Sequence, residues 1–287
     1  MPLIDTHTNI WDVSLHMSEK FLEETRRART DPTSMDVTPE RFAAAIKPCD
    51  NVIAFGLRFA YTGIDVPNDF VADFINKMGD PKIVPWMSVD PNDLAYMDEF
   101  EHARSDLGMC GVKLGPIYQN VDPRDKKLHP LYSECTKHNL PILFHTGTTF
   151  CQDAPLRYSR PHLWDEVATD FPDLVMILAH MSHPWETECI ATIRKHPNLY
   201  ANVSALYYRP WQLYNTMILA QEYGVNRKLL FGSDFPFTTA VESIDGLRSL
   251  NRMVEGTNLP RVSSDMLDEI IYRDSLDAIY NGSVPGR

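Results

Sequence analysis

The sequence predicts a single-domain (β/α)8 TIM barrel that spans residues 1–287, and three observations favour this fold. Short apolar runs rich in β-branched and aromatic residues recur with starts mostly about 30 residues apart, as expected of repeated strand–helix units. Most runs are too continuously apolar for half-exposed antiparallel strands, which indicates parallel strands covered on both faces. The competing doubly wound open sheet is less favoured because no G-x-G-x-x-G motif follows the first run.

The predicted strands are the eight apolar runs, and the segments between them have the periodicity of amphipathic helices. The runs are LIDTH (3–7), NVIAFGL (51–57), KIVPWMSV (82–89), GVKL (111–114), PILFH (141–145), LVMILAH (174–180), LYANVS (199–204) and KLLFGSD (228–234). One intervening segment, HPLYSECTKHN (129–139), could pack Leu131 and Cys135 inward as one helix face.

Two segments depart from the regular spacing. Residues 13–45 form an insertion after the first strand, which contains the charged run SEKFLEETRRARTDPTSMDVTPERF. We expect this run to be helical and solvent-facing, with a lid over the site as the alternative. Residues 240–281 are predicted to be closing helices, because the cap-like Ser263 precedes an apolar-periodic segment. We find no linker that divides the chain into two domains.

The composition favours a small-molecule partner. The formal net charge is −12 and no long basic run offsets it, which argues against broad contact with nucleic acid or an anionic membrane. No apolar run approaches the roughly 18 residues of a membrane span, and the first strand leaves no room for a signal peptide. The five cysteines are scattered and form no CxxC pair, which is typical of a reducing compartment. We therefore expect a cytoplasmic protein.

Polar residues stand at the ends of the predicted strands, and they form the candidate site. They are Asp5, His7 and Asn9 in the first run, Lys113 in the fourth, His145 in the fifth, His180 followed by His183 in the sixth, and Asp234 in the eighth. Alternate residues of a strand point to one face, and the carboxyl ends of barrel strands share one mouth. Imidazole and carboxylate groups bind zinc and similar ions, so the pattern predicts a metal or catalytic site.

The motifs IDTHTN, FHTG, LAHMSHPW and FGSDFP, in this order, resemble the amidohydrolase superfamily. Within it they are most similar to amidohydrolase family 2, the branch with aminocarboxymuconate-semialdehyde decarboxylase and related hydrolases. The resemblance covers nearly the whole chain, and FGSDFP together with the D-x-H opening is its most specific part. It implies a TIM barrel, a divalent metal ion such as zinc, and a homodimer.

The resemblance also implies roles for individual residues. The family's His-x-His pair of ligands falls on His7 and Asn9, and its further ligands fall on His145 and Asp234, while His180 lies close to the metal and helps to polarise substrate or water. Asn9 departs from the family pattern, which has a histidine at this position. An amide oxygen binds zinc more weakly than imidazole does. Three alternatives stay open: Asn9 binds through its oxygen, His7 serves alone from the first strand, or the metal has been lost.

The expected activity is hydrolysis of a small carboxylate-bearing or cyclic substrate, such as a lactone, an amide or an ester. A divalent ion would lower the pKa of a water, Asp234 would take its proton, and His180 would hydrogen-bond the developing oxyanion. The alternative is non-oxidative decarboxylation of an unsaturated or aromatic acid. Hydrolysis is favoured because HMSHPW has serine and histidine where such decarboxylases carry an acidic residue. A metal-free binding protein is the third alternative.

Further residues are expected to contact the substrate around the mouth. They are Lys113, Arg58, Tyr208, Arg209 and His183, with Tyr207 and Trp211 nearby. Guanidinium groups bind carboxylates and aromatic rings stack on planar substrates, so this set suits an anionic or aromatic ligand. An ion pair for Arg58 and simple packing for the aromatic residues are the alternative interpretations.

Overall fold

Ten strands are present in residues 1–28, 35–282 and 284–285, the part of the chain that the computed structural model describes. They are β1 (Ile4–Asn9), β2 (Asn51–Phe55), β3 (Arg58–Phe59), β4 (Ile64–Asp65), β5 (Ile83–Ser88), β6 (Val112–Leu114), β7 (Ile142–Phe144), β8 (Met176–Leu178), β9 (Leu199–Asn202) and β10 (Leu229–Leu230). Eight of them pair in the order β1-β2-β5-β6-β7-β8-β9-β10, and all these pairs are parallel. The predicted single-domain (β/α)8 barrel is confirmed.

Each predicted run overlaps one observed barrel strand. Strand β1 extends beyond its predicted run to Asn9, whereas several other strands end early. The run 228–234 keeps only Leu229–Leu230 as strand, and the run 51–57 ends at Phe55. The residues beyond these ends leave the ladder and turn toward the barrel mouth, where catalytic loops of this fold begin. The small antiparallel pair β3–β4 was not predicted from the sequence.

The barrel closes where β1 meets the segment that follows β10. The backbone N–H and the hydroxyl of Thr6 both donate to the carbonyl of Phe231, at 3.0 and 2.7 Å. The N–H of Ser233 donates to the carboxylate of Asp5 at 2.9 Å. Side chains therefore take part in this seam together with the backbone, which keeps the buried polar groups of the seam paired.

Thirteen α-helices lie in the described chain. They are α1 (Val13–His16), α2 (Glu19–Ala28), α3 (Pro39–Ile46), α4 (Asn68–Met78), α5 (Tyr96–Ser105), α6 (Pro116–Gln119), α7 (His129–Lys137), α8 (Leu163–Asp170), α9 (Glu186–Lys195), α10 (Pro210–Glu222), α11 (Ala240–Ser249), α12 (Ser264–Ile271) and α13 (Ser275–Tyr280). The side chain of Ser263 accepts from the N–H of Met266 and caps α12, an interaction that typically contributes about 1 kcal/mol.

The insertion after β1 contains α1, α2 and α3, and residues 29–34 of the predicted charged run lie outside the described chain. Helix α2 has an exposed face, but Phe21, Glu24 and Thr25 are buried. The ring of Phe21 lies 5.6 Å from that of Phe150, a residue of the loop after β7. The expectation of a solvent-facing segment therefore holds for one face of α2 only.

Helix α13 closes the barrel at its amino-terminal end. The hydroxyl of Tyr280 accepts from the indole Nε1 of Trp86 at 2.8 Å and donates to the carbonyl of Cys110 at 2.9 Å. Both Trp86 and Tyr280 are buried, so this polar link lies within apolar packing where hydrogen bonds must be satisfied. Within the described residues, no helix combines the length and apolar character needed to cross a membrane.

Candidate active site

A cavity of about 610 Å³ opens at the carboxyl ends of the barrel strands. Nine of the predicted site residues line it: His7, Asn9, Lys113, His145, His180, His183, Tyr208, Arg209 and Asp234. Its floor is polar, because the side chains at the strand ends point into it. Its upper wall is apolar and consists mainly of Trp11, Phe21, Phe59, Phe150 and Phe237. Such a cavity, apolar with a few convergent polar groups, is typical of a small-molecule site.

His7 and Asp234 face each other across the seam. His7 Nε2 lies 3.4 Å from Asp234 Oδ1, and the N–H of Asp234 donates to the carbonyl of His7 at 3.0 Å. Asp234 has a positive φ of 66°, a left-handed conformation that costs a non-glycine residue about 1–3 kcal/mol. The seam therefore holds the carboxylate of Asp234 against the imidazole of His7 at the expense of backbone strain.

Glycine at position 232 permits this close approach. A Cβ at Gly232 would lie 3.0 Å from the Cβ of His7 and 3.4 Å from Nδ2 of Asn202. A contact of 3.0 Å is closer than two carbon atoms normally pack. Any larger residue would thus push against the Cβ of His7.

His7, His180 and Asp234 form the compact cluster of the site. One ligand atom from each residue lies within 4.8 Å of the others, and all three residues are buried. Imidazole nitrogen and carboxylate oxygen are the donors that zinc and similar divalent ions prefer. The donor set of this cluster therefore fits a divalent ion.

His180 stands on a strained turn directly after β8. His180, Met181 and Ser182 have φ values of 61°, 49° and 55°, three consecutive residues in a region that costs L-residues about 1–2 kcal/mol each. The turn brings the imidazole of His180 to a centroid distance of 4.8 Å from that of His7. Strain that persists at such a place is a feature of functional sites.

His145 and Asn9 lie beside the compact cluster and contact backbone carbonyls. His145 Nε2 is 3.3 Å from the carbonyl of Thr148, and its ring centroid is 5.0 Å from that of His180. Asn9 Nδ2 donates to the carbonyl of Phe235 at 2.7 Å. Both residues line the cavity, but the compact cluster contains His180, whereas the resemblance implied His145 and Asn9 as ligands.

Two polar residues at and just after the end of β9, which we did not single out from the sequence, contact the histidines of the cluster. Ser204 Oγ lies 2.7 Å from His180 Nδ1, and Asn202 Nδ2 lies 3.2 Å from His7 Nδ1. Both residues are completely buried. The signal was present in the run LYANVS, where Asn202 and Ser204 alternate at a strand end in the same way as His7 and Asn9.

Burial keeps the histidines of the floor neutral. The pKa values of His7, His145 and His180 lie well below their ordinary value of 6.5, first because burial penalises the charged ring and then because other cationic groups are near. Neutral imidazole is the form that binds a metal ion or accepts a proton. At the rim, burial and then Arg209 lower the pKa of His183 to about 4.

Lys113 brings a buried amine into the same floor. It is 2% exposed, its Nζ lies 5.1 Å from the ring centroid of Phe55, and this Nζ has no hydrogen-bond partner among the described residues. Burial lowers its pKa to about 7, and the carboxylate of Asp234 partly opposes this shift. An unsatisfied buried amine costs free energy, so Lys113 is poised to bind an anionic group that enters the cavity.

The predicted residues after β9 lie at the rim of the cavity. Arg209 donates to the carbonyl of Ala205 at 2.6 Å and lies 4.5 Å from the ring centroid of Tyr208. Tyr207 points away and donates to the carbonyl of Gly232 at 2.9 Å. Trp211 is 62% exposed and does not line the cavity. Arg209 and Tyr208 are thus the members of this group that a substrate could meet.

Arg58 lies outside the cavity, unlike the other residues that we expected to contact a substrate. Its Nε forms an ion pair with Asp65 at 3.0 Å across the β3–β4 hairpin. It lines a separate surface depression together with Asp90 and His102. The position of Arg58 therefore agrees with the alternative interpretation, in which it forms an ion pair.

A barrel whose strand ends bring buried histidines and an aspartate together defines the amidohydrolase type of enzyme. The sequence matches the model of the Amidohydrolase family over residues 4–255, and the chain belongs to that family. A search of curated protein sequences gave no match.

Solved structures share the fold. An uncharacterized TIM-barrel protein from Bordetella bronchiseptica is 22% identical, with a TM-score of 0.73 over 97% of this chain and 98% of that one. A probable 2-pyrone-4,6-dicarboxylic acid hydrolase from Acinetobacter baumannii, with citric acid bound, is 14% identical, with a TM-score of 0.65 over 98% and 100%. A dihydroxybenzoic acid decarboxylase from Polaromonas sp. JS666, with manganese and 2-nitroresorcinol bound, is 15% identical, with a TM-score of 0.65 over 97% and 96%. The structural neighbours thus include enzymes of both reaction types.

Proposed function

We propose that the protein is a metal-dependent hydrolase of a small substrate that carries a carboxylate and has a lactone, amide or ester bond. The observation that carries this proposal is the compact cluster of His7, His180 and Asp234, whose ligand atoms lie within 4.8 Å of one another at the floor of the cavity. His145 and Asn9 line the same floor and are available to complete the coordination. Zinc is our first candidate for the ion, because imidazole and carboxylate are its usual ligands.

A divalent ion in such a site supplies electrophilic charge, which acidifies a water and polarises a carbonyl. Asp234, the only carboxylate among the described residues that line the cavity, accepts the proton of the attacking water and later returns it to the leaving group. The seam fixes Asp234 through its N–H bond to the carbonyl of His7. Its carboxylate is therefore held in place before the substrate arrives.

The charges around the cavity favour an anionic substrate. Lys113 offers a buried amine at the floor, and Arg209 offers a guanidinium at the rim. Between them, rings such as Phe59 and Tyr118 provide an apolar wall; these two rings are stacked at 5.5 Å. A planar ring or an unsaturated chain with a carboxylate fits this distribution of charge and apolar surface.

Decarboxylation is the second candidate, and the aromatic wall favours it in so far as it suits an aromatic acid. A decarboxylase needs an acid that protonates a carbon atom of the substrate. His183, in the loop after β8, is neutral at pH 7 because burial lowers its pKa to about 4. It is therefore not a protonated imidazolium that could act as this acid. Hydrolysis asks less of the site, since Asp234 both receives and returns the proton. We therefore place hydrolysis first.

The proposal is tested with a substrate panel and metal analysis. The chain is purified without added metal, its bound metal is measured, and aryl esters, lactones, cyclic amides and dihydroxybenzoic acids are assayed with Zn²⁺, with Mn²⁺ and with a chelator. Hydrolysis of a carboxylate-bearing ester or lactone that the chelator abolishes would support the proposal. Carbon dioxide release from an aromatic acid would replace it with the second candidate. No turnover of any compound by the metal-loaded protein would reject both.

Two further expectations belong to this proposal. We infer a cytoplasmic location, supported by cysteines that are all free and buried among the described residues. We infer a homodimer from the resemblance to family 2, and light scattering of the purified chain would test it.

A further inference from the structure

We propose that Asn202 and Ser204 are positioning residues that set opposite tautomers in the two histidines of the compact cluster, with the proton of His7 on Nε2 and that of His180 on Nδ1. The two imidazole rings lie side by side, and each uses its Nδ1 to contact one of these buried residues. A neutral imidazole carries one proton, so the partner of Nδ1 decides what Nε2 can do.

The orientation of the Asn202 amide follows from a backbone donor. The N–H of His180 lies 3.0 Å from Asn202 Oδ1, and a backbone N–H can only donate. The atom that it meets must therefore be the amide oxygen, which settles the usual ambiguity between oxygen and nitrogen in asparagine. The hydroxyl of Ser204 meets the same oxygen at 2.6 Å, and it must donate there because this oxygen only accepts.

The other end of the amide faces His7. Asn202 Nδ2 lies 3.2 Å from His7 Nδ1, and an amide nitrogen only donates. His7 Nδ1 therefore accepts, and the proton of the neutral ring resides on Nε2. That nitrogen lies 3.4 Å from Asp234 Oδ1, so the proton of His7 is on the ring nitrogen next to the carboxylate.

Ser204 fixes the opposite state in His180. Its hydroxyl proton is committed to Asn202, so toward His180 Nδ1, at 2.7 Å, the oxygen can only accept. His180 therefore carries its proton on Nδ1 and keeps the lone pair on Nε2. This tautomer makes His180 a metal ligand or a proton acceptor. It does not make it a donor to a developing oxyanion, the role expected from the sequence.

The network has a consequence for metal binding, which rests on the proposed function. His180 presents a lone pair in its resting state, whereas His7 must first move its proton from Nε2 to Nδ1 before Nε2 can bind an ion. Ser204 Oγ, 3.4 Å from His7 Nδ1, has a second lone pair that can accept this proton. Replacing the donor Asn202 Nδ2 by an acceptor should remove the need for the switch.

The tautomers are measured directly by NMR of the metal-free protein with ¹⁵N-labelled histidine. Protonated and unprotonated ring nitrogens have distinct ¹⁵N shifts, and His7→Gln and His180→Gln variants assign the two rings. We expect His7 to be protonated at Nε2 and His180 at Nδ1. The same tautomer in both rings, or the reverse assignment, would overturn the proposal without any assay of activity.

Variants of Asn202 and Ser204 test whether these two residues determine the tautomers of His7 and His180. Asn202→Asp keeps the oxygen that accepts from His180 N–H but puts an acceptor before His7 Nδ1, so the His7 proton should move to Nδ1. Ser204→Ala should leave His180 without a fixed tautomer. Ser204→Thr keeps the hydroxyl and should retain the proton of His180 on Nδ1. Unchanged His7 shifts in Asn202→Asp, or unchanged His180 shifts in Ser204→Ala, would show that other contacts set the tautomers.

Titration of the metal-free proteins with Zn²⁺ gives a second readout. Partners behind a ligating histidine typically change metal affinity by about 10- to 100-fold, so Asn202→Asp should bind Zn²⁺ at least about 10-fold more tightly than the wild type. Weaker binding in Asn202→Asp would contradict the switch. Absence of binding of both Zn²⁺ and Mn²⁺ in every protein would reject the metal-dependent function, while the NMR result would still decide the tautomers.

Matched control variants distinguish the effects of the Asn202 and Ser204 hydrogen bonds from general effects of added charge or altered packing. Asn198→Asp introduces the same charge at a half-buried position whose amide donates to the carbonyl of Pro172. Ser159→Ala removes a buried serine whose hydroxyl donates to the carbonyl of Leu156. Neither change should alter the shifts of His7 or His180. A shift of either ring in these controls would attribute the effects to altered charge or packing and overturn the assignment to Asn202 and Ser204.

Discussion

The floor and the upper wall of the cavity are built in different ways. The floor residues stand at strand ends, and several of them are held by hydrogen bonds, as in the network of His180, Ser204 and Asn202. The upper wall comes from connecting segments, and residues such as Phe21 and Phe150 contribute apolar surface. From this difference we propose a division of roles, in which the floor performs the chemistry and the wall selects the substrate that reaches it.

The sharpest test of this division is Asp234→Asn. Loss of the carboxylate should lower kcat by about 100-fold or more, because general acid–base catalysis typically contributes that much, while KM changes little. Steady-state kinetics on the substrate found with the panel would measure both constants. The exposed residue Asp173 provides the control Asp173→Asn. A kcat within a few-fold of wild type in Asp234→Asn would remove this residue from the mechanism.

Lys113→Met should separate binding from stability within the floor. The free energy of unfolding should rise, since the buried amine lacks a hydrogen-bond partner among the described residues. KM for an anionic substrate should rise about 10- to 100-fold, as expected from the loss of a hydrogen bond to a charged group. Urea unfolding and steady-state kinetics measure the two effects, with the exposed Lys47→Met as control. An unchanged KM would show that Lys113 does not meet the substrate.

Phe21→Leu tests the wall. The change removes part of the ring that packs against Phe150, and KM should rise by up to about 10-fold, the lower end of what apolar contacts in a pocket contribute. The value of kcat should stay constant because the floor is untouched. Phe171→Leu alters a half-buried ring outside the cavity and serves as the control. A selective fall in kcat would contradict the division between wall and floor.

The smallest predicted effect concerns the pH dependence of stability. Burial lowers the pKa of His145 well below its ordinary value of 6.5, so below that pH the unfolded chain binds a proton that the folded chain does not. The stability present above pH 6.5 is therefore lost as the pH falls, by about 1.4 kcal/mol per pH unit for one such group. His145→Ala should reduce this slope in urea unfolding, whereas the exposed His162→Ala should not. Equal slopes in His145→Ala and the wild type would contradict the buried neutral state.

The floor was largely predictable because strand periodicity and chain order determine it. His7, His145, His180 and Asp234 each follow an apolar run, and a barrel places all such ends at one mouth. Lys113 was recognised in the same way. Asn202 and Ser204 have the same sequence signal, but neutral polar residues at strand ends are also common without any function, so their role became visible only through their hydrogen bonds.

The wall and Arg58 were less predictable because long-range packing decides them. The charge pattern of α2 indicated an exposed helix, yet Phe21 on its other face lines the cavity. Arg58 follows β2 as expected, but the β3–β4 hairpin turns its side chain to Asp65. Neither the angle of an inserted helix nor a two-residue strand pair can be read from residue spacing.

Because of the seam between β1 and the segment after β10, the candidate site can form only when the barrel closes at the end of folding. Thr6 and Phe231, which it joins, are 225 positions apart along the chain. During synthesis the ribosome releases His7 long before Asp234, so these two residues cannot meet until most of the polypeptide has emerged. The compact cluster thus forms late, together with the final ring closure, and a chain that lacks the last strand and Asp234 cannot form it.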